Sequence, residues 1–373
     1  MSEPFRITFI LPGYPSVPIG GFRVVYQYAN ELVNRGHHVS VVHAGDLRQH
    51  PGIRGIRPWP KRWVARFRLL RDSRFPRPVQ WQHVDRRVKM IYLDQEPISS
   101  KVPSGDIVVA TSWETAEYVA EYPASVGKKF YLIQHLETWS GQLDRILATW
   151  QMPLHLIVIA GWLLDEAKKA GRGDAVHIPN GLDHDRFYLS VDPRKRPFSV
   201  LTMYHPWAWK GFDDALAVIL KLHESHPQVP VTVFGAYPRP ASLPAWVPYV
   251  ENPAQEQLRA LYNQHAVFLH ASWREGWALP PAEAMACGAV FIGTDSLGCR
   301  DYAIDGVNAL LSPPRAIDAL WENLRRVQDD PKLRWQLAEQ GLQDIKRFTW
   351  SHSAALFEER LKEGINRTLP VES

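Results

Sequence analysis

Apolar residues along this chain come in two alternating spacings. Short unbroken runs such as RITFIL, HVSVVHA, DIVVAT, KFYLIQ, HLIVIA and VHIPN are separated by stretches whose apolar residues recur every third or fourth position. The runs read as strands buried on both faces, and the periodic stretches as helices with one buried face. In FRVVYQYANELVNRG, Val24, Val25, Tyr28, Leu32 and Val33 share one helical face, and Gly36 stops the helix. Further helices are expected near Trp113–Glu121 and Trp162–Ala170.

A second series begins after PNGLDHDRFYLSVDPRKRP. It runs strand FSVLTM, helix from Gly211, strand VTVFGA, helix from Gln255, strand AVFLHA, helix from Pro281, strand AVFIGT. Such alternation predicts parallel sheets covered by helices, an α/β chain of two doubly wound Rossmann-like domains with a cleft between them. A chain of 373 residues is long enough for two cores. The expected division is 1–185 for the first domain and 186–345 for the second. A C-terminal helix in 346–373 is expected to pack back on the first.

The stretch SWREGWALPPAEAMACGAVFIGTDSLG holds two glutamates, Glu275 and Glu283, with Pro280 and Pro281 between them. Consecutive prolines remove amide donors and restrict the residue before them, so no regular helix joins the two carboxylates. Glu275 is therefore expected on a loop, and Glu283 in the first turn of a helix that the prolines start. Both would flank a helix N-terminus, where free amides and the helix dipole favour an anion.

Composition narrows the class only a little. A net charge of +4 is too small to argue for nucleic acid, which is not expected as a partner. The apolar part of MSEPFRITFILPG is about one strand long, so neither a signal peptide nor a transmembrane helix is expected. The only cysteines, Cys287 and Cys299, form neither a disulfide framework nor a zinc pattern, and free thiols in a reducing cytoplasm are expected. The charge is concentrated, however. From Arg54 to Lys89, twelve Lys or Arg stand against two Asp, interleaved with Trp59, Trp63, Phe67, Phe75 and Trp81. Basic residues mixed with aromatics suit an anionic membrane interface or single-stranded nucleic acid, and equally a solvated surface insertion.

With these residues in view, the chain resembles a GT-B-fold glycosyltransferase of family 4, the retaining group that uses nucleotide-activated sugars. The resemblance spans nearly the whole length. It rests on the glycine loop Gly13, Gly20 and Gly21, on GHHVSVV, on PNGLDHDRF, on Lys210 and Gly211, and above all on EGWALPPAEAMACG. The segment VVATSWETAEYVA with KKFYLIQHLETW looks like the rhamnosyltransferase-type members.

The resemblance implies transfer of a sugar from a dTDP-, UDP- or GDP-sugar to a glycan, lipid-linked or small-molecule acceptor in polysaccharide or glycoconjugate synthesis. It implies no cofactor and no metal; a cytoplasmic location is expected from the free cysteines, and a peripheral contact with the inner face of the membrane through 54–89 from that segment's composition, with a solvated surface insertion as the alternative. The resemblance also implies that Glu283 holds the ribose hydroxyls, that Glu275 lies by the hydroxyls of the transferred sugar, and that His135, at the end of KFYLIQ, faces sugar or acceptor. The chemistry of the step agrees. A departing diphosphate gathers negative charge, which Lys210 and the amides of Gly276, Trp277, Ala278 and Leu279 can meet. Gly20 and Gly21 read as an ordinary tight turn or as backbone that approaches substrate. One departure stands out: where the family usually places an arginine, five residues before the lysine, this chain has His205.

Other signals point elsewhere. Asp183 and Asp185 have the spacing of a metal pair but follow a Pro-Asn-Gly turn in a segment the family uses structurally. Trp207 and Trp209 suit packing or a lid. Rival readings are a nucleotide-sugar epimerase or a phosphorylase on the same fold, and a non-catalytic nucleotide-sugar-binding partner subunit. The first turn lacks G-x-G-x-x-G, which argues against an NAD-dependent dehydrogenase.

If the 54–89 segment docks on an anionic leaflet, the protein sediments with anionic vesicles at low salt and is released as salt screens the charges. Equal recovery with neutral and anionic vesicles would contradict that reading.

Overall fold

The computed structural model describes residues 3–15, 17–45, 47, 79–93 and 96–366. The basic, aromatic-rich stretch therefore lies outside the described residues up to position 78. Two compact units are present. The first comprises 1–157, 167–176 and 354–373, and the second 158–166 and 177–353.

The first unit is built on a seven-stranded sheet in the order β3-β2-β1-β4-β5-β6-β7. Its strands are β1 (Arg6–Pro12), β2 (His38–Ala44), β3 (Lys89–Leu93), β4 (Ile107–Ala110), β5 (Lys128–Ile133), β6 (His155–Val158) and β7 (Val176–His177). Pairings from β3 through β5 are parallel, with Ile7 opposite both Val39 and Ile107. Helices α1 (Gly20–Asn34), α2 (Trp113–Ala120), α3 (Leu143–Trp150) and α4 (Gly161–Lys169) follow β1, β4, β5 and β6. Helix α1 starts earlier than its apolar stripe suggests. It buries Phe22, Tyr26, Gln27 and Ala29 besides the expected face, because it lies against β2 and, through Phe357, the last helix. The Phe357 ring lies 4.6 Å from Tyr28 and 6.0 Å from Phe9, and burying a side chain of that size contributes about 1.5–3 kcal/mol.

The second unit repeats the plan with the order β10-β9-β8-β11-β12-β13. Here the strands are β8 (Val200–Tyr204), β9 (Val231–Gly235), β10 (Tyr249–Glu251), β11 (Val267–His270), β12 (Val290–Thr294) and β13 (Ala309–Ser312), all joined in parallel. The helices are α5 (Phe212–Ser225), α6 (Gln255–Gln264), α7 (Leu279–Ala286), α8 (Ile317–Asp329) and α9 (Pro331–Asp344), and α10 (Trp350–Asn366) carries the chain back into the first unit. Val200, Val233, Val267, Leu269, Ile292 and Leu310 meet Val218, Ile219, Leu222, Leu324 and Val327 in one core.

The order of this second sheet fixes where its loops converge. Strand order reverses between β8 and β11, so the connections leaving their C-terminal ends lie side by side, the position at which doubly wound sheets receive ligand. Those connections are 205–211 and 271–278. Among the described residues no helix is long and apolar enough to cross a membrane.

Candidate functional site

The connection after β8 is pressed into that after β11. Gly211 adopts φ 66°, and a Cβ there would lie 1.9 Å from the Ala271 carbonyl oxygen, so no other residue fits. The Trp273 amide donates to the Trp209 carbonyl at 2.8 Å, closing the contact one residue before Lys210. Lys210 Nζ then reaches both carboxylate oxygens of Glu275 at 2.8 Å, and the ammonium rests 4.3 Å from the centre of the Trp209 ring. His270 Nε2, from the end of β11, stands 3.5 Å from Glu275 Oε1. Burial pushes the Glu275 carboxyl up, but Lys210 and His270 outweigh it and hold the group well below the usual carboxylate range. Glu275 is thus an ionised carboxylate in a largely dry setting.

Beyond Glu275 the chain enters α7. Ala278 takes φ 57° and ψ 70°, a left-handed conformation that costs a residue with a Cβ on the order of 1–3 kcal/mol. Its surroundings hold it there: the Tyr302 hydroxyl donates to the Ala278 carbonyl at 2.6 Å, and Trp162 Nε1 donates to the Gly276 carbonyl at 3.0 Å. With the carbonyls turned into the protein, the amides of Gly276, Trp277, Ala278 and Leu279 meet no acceptor among the described residues. Free amides at a helix start form a cradle for an anion.

Glu283 corrects the sequence-based expectation in one respect. The helix opens at Leu279 rather than Pro281, because both prolines are accommodated inside the first turn where their missing donors cost nothing. Glu283 therefore lies in the second turn. It is also more enclosed than a cleft-lining residue, only 2% exposed, with the Tyr262 hydroxyl 3.4 Å from Oε2. Capping of the helix is excluded by position.

His205 ends the β8 strand direction and packs edge-on against Trp207 and Tyr237. Its Nδ1 accepts from the Trp207 amide at 3.1 Å, which leaves the ring proton on Nε2. Burial first, then Lys210, lowers its pKa to about 4, against a smaller opposing pull from Glu275. At neutral pH it is an uncharged donor, so it does not reproduce the charge of an arginine. Trp207 is exposed and Trp209 half-buried beneath Lys210.

His135, Gly20 and Gly21 belong to the first unit and are described within it. His135 lies two residues past the end of β5 and is buried; its Nδ1 accepts from the Glu137 amide at 3.3 Å, and Trp139 meets it edge-on at 4.6 Å. Glu137, at φ 52°, caps α2 by accepting from the Trp113 amide at 2.8 Å. Gly20 and Gly21 are not turn residues: they open α1 with ordinary helical backbone, and the positive φ of this loop, 95°, is at Gly13. A Cβ on Gly21 would make ordinary contact with Gln134 at 3.5 Å, so internal packing does not demand glycine there.

Asp183 is taken up locally, its carboxylate 2.9 Å from Arg186 Nε and within 3.2 Å of the Arg186 amide. Among the described residues no cluster of three or more His, Cys, Asp or Glu is arranged for a metal ion. Cys287 and Cys299 are free and buried, and burial pushes their thiols up to about 12 and about 11.

Sequence reasoning missed His270, Tyr262, Trp162, Tyr302 and Asp301. Of these only His270 carried a signal: a lone polar residue at the C-terminal end of an apolar run, the same cue that singled out His135. The others act through pairings between segments far apart in sequence.

Comparison with known proteins places this geometry. Residues 194–344 match the model for glycosyl transferases group 1. The chain is 27% identical over 107 residues to the O-antigen chain mannosyltransferase B of Escherichia coli, covering 29% of this chain and 28% of that one. It is 22% identical to the glycogen synthase of Mycobacterium tuberculosis over 92% of this chain and 91% of that protein. Among solved structures, HepE of Anabaena in complex with UDP-glucose superposes with a TM-score of 0.71 at 16% identity, over 96% of this chain and 100% of that one. The two parallel-sheet units are those of the GT-B fold, and within the second unit residues 194–344 are similar to the glycosyl transferases group 1.

Proposed function

We propose that this protein is a retaining glycosyltransferase of family 4 type. It moves a sugar from a dTDP-, UDP- or GDP-sugar to a glycan, lipid-linked or small-molecule acceptor in cell-surface polysaccharide or glycoconjugate synthesis, and acts in the cytoplasm. The observation that carries the reading is the Lys210–Glu275 pair beside the row of free amides at the start of α7. That arrangement suits a reaction in which a diphosphate leaves while positive charge grows on a sugar ring.

Within this reading each side chain takes a role that its geometry suits. An ammonium has three N–H groups, and Glu275 takes two of those on Lys210, leaving one for a phosphate oxygen. The amides of Gly276, Trp277, Ala278 and Leu279 hold the remaining diphosphate charge, and His205 Nε2–H adds a neutral donor. No metal is then required. Glu275, ionised by its partners, accepts from a hydroxyl of the transferred sugar and stabilises the ring as it becomes cationic. Glu283, one turn into the helix, accepts from the ribose hydroxyls. For the first unit the resemblance carries the assignment: His135 is proposed to serve sugar or acceptor, and Gly20 and Gly21 to let backbone approach substrate.

An epimerase on this fold would consume donor without acceptor, and a binding subunit would turn over neither. The Lys210–Glu275 pair speaks against the latter, because taking two charges out of water costs several kcal/mol per ion, which a passive binder has no need to meet.

The test separates binding from chemistry. Glu283→Gln weakens nucleotide affinity by about one to two decades with a smaller effect on the chemical step, whereas Glu275→Gln slows single-turnover transfer by a similar factor with a smaller effect on affinity. Calorimetry and single-turnover rates on both variants, with the product anomer assigned by NMR, check this. Unchanged constants with a lowered melting temperature, or a product of inverted configuration, would overturn the reading.

The uncharged imidazole makes a gain-of-function prediction. His205→Arg adds a charge-assisted contact and tightens nucleoside diphosphate binding by roughly tenfold or more, while the affinity for the bare nucleoside stays as it was. Equal affinities of wild type and variant for the diphosphate would place the phosphates elsewhere.

A further inference from the structure

We propose that Asp301 is the positioning residue of the anion cradle, acting through the indole of Trp277; the inference rests on the reading of the cradle as a diphosphate site. Asp301 closes the short turn Gly298–Asp301 that follows β12. That turn is pressed against the loop in question: a Cβ on Gly298 would lie 2.7 Å from the carbonyl oxygens of Glu275 and Gly276.

Both oxygens of the Asp301 carboxylate are in use. Oδ1 accepts from the Gly161 amide at 3.0 Å. Oδ2 accepts from Trp277 Nε1 at 3.1 Å and faces His177 Nε2 at 3.0 Å. The residue after Gly161 is Trp162, whose indole holds the Gly276 carbonyl. One carboxylate therefore fixes the side chain of Trp277 directly and the carbonyl before it through the start of α4. Tyr302, the residue after Asp301, holds the Ala278 carbonyl. The loop is gripped at 276, 277 and 278 by Trp162, Asp301 and Tyr302, and the grip engages its carbonyls while leaving its amides without acceptors among the described residues.

Charge alone gives no reason for a carboxylate behind an anion cradle, since it opposes the ligand. Its use is geometric: a carboxylate accepts several donors at once, and an amide of the same shape has only one oxygen to do so. His177 against the carboxylate and the Arg347 guanidinium on the Asp301 carbonyl, at 3.1 Å, offset its field.

The experiment measures calorimetric affinities for UDP, GDP and dTDP, and for the matching nucleosides, in wild type, Asp301→Asn, Trp277→Phe and the double variant. The best-bound diphosphate is expected to lose about tenfold or more in each single variant, with the nucleoside changed far less. The double variant is expected to lose no more than the worse single one, because both remove the same tether. If Asp301→Asn does not fold, Trp277→Phe alone, which removes a single contact of the carboxylate, reads out the same selective loss of diphosphate affinity. Unchanged diphosphate affinity in the folded variants, or losses that multiply in the double variant, would overturn the proposal. Failure of the wild type to bind any nucleoside diphosphate would instead overturn the functional reading on which it rests.

Discussion

The contact between Lys210 and Glu275 governs the second unit's site, and it exists because of a crossing of backbones that only glycine allows. Gly211 sits on the Ala271 carbonyl with no room for a side chain, and the neighbouring Trp209 carbonyl takes the Trp273 amide. Two loops from strands distant in sequence are thereby locked in register, and their charged side chains meet at 2.8 Å. Buried ion pairs seldom add net stability, since desolvation consumes most of the Coulombic gain. What this one secures is protonation state: Glu275 stays charged in a place where an isolated carboxyl would take up a proton.

The same loop stores strain a few residues on. Ala278 is left-handed without being glycine, and it is held there by Tyr302, with Trp162 and Asp301 holding the residues before it. Strain that neighbours over-determine is a feature of sites organised before the ligand arrives. The result is a helix start whose amides meet no acceptor among the described residues, beside a lysine that retains a donor, with an uncharged His205 in place of a second cation. A site so built discriminates by direction of donors as much as by total charge.

Much of this was legible in the sequence. Continuous apolar runs marked the central strands because parallel strands are buried on both faces, and the alternation with helical stretches announced two doubly wound sheets. The edge strands β3, β10 and β13 escaped notice: Lys89–Leu93 and Tyr249–Glu251 are half exposed, and Tyr249–Glu251 and Ala309–Ser312 are only three and four residues long. Glu275 was placed on a loop from Pro280 and Pro281 alone, but Glu283 was put one turn too early, since prolines fit within a first helical turn and do not mark where it begins. Gly20 and Gly21 could be read as a tight turn or as backbone that approaches substrate, because glycine is ambiguous between turn and helix start; they open α1, and the positive φ of this loop is at Gly13. The pairing of Lys210 with Glu275 and the grip of Asp301 on Trp277 had no sequence signature. Each depends on strand order, which brings together segments 65 and 24 residues apart.

The central claim is that the second unit holds a diphosphate by amide dipoles and a lysine. It is tested most directly by titrating the wild-type protein in a calorimeter with UDP, GDP and dTDP and with the corresponding nucleosides, all in excess chelator. The account predicts that at least one diphosphate binds and that its nucleoside binds at least about tenfold more weakly, the difference being the charge-assisted bonds of the cradle. Equal affinity for diphosphate and nucleoside, or diphosphate binding that appears only when magnesium is restored, would contradict it.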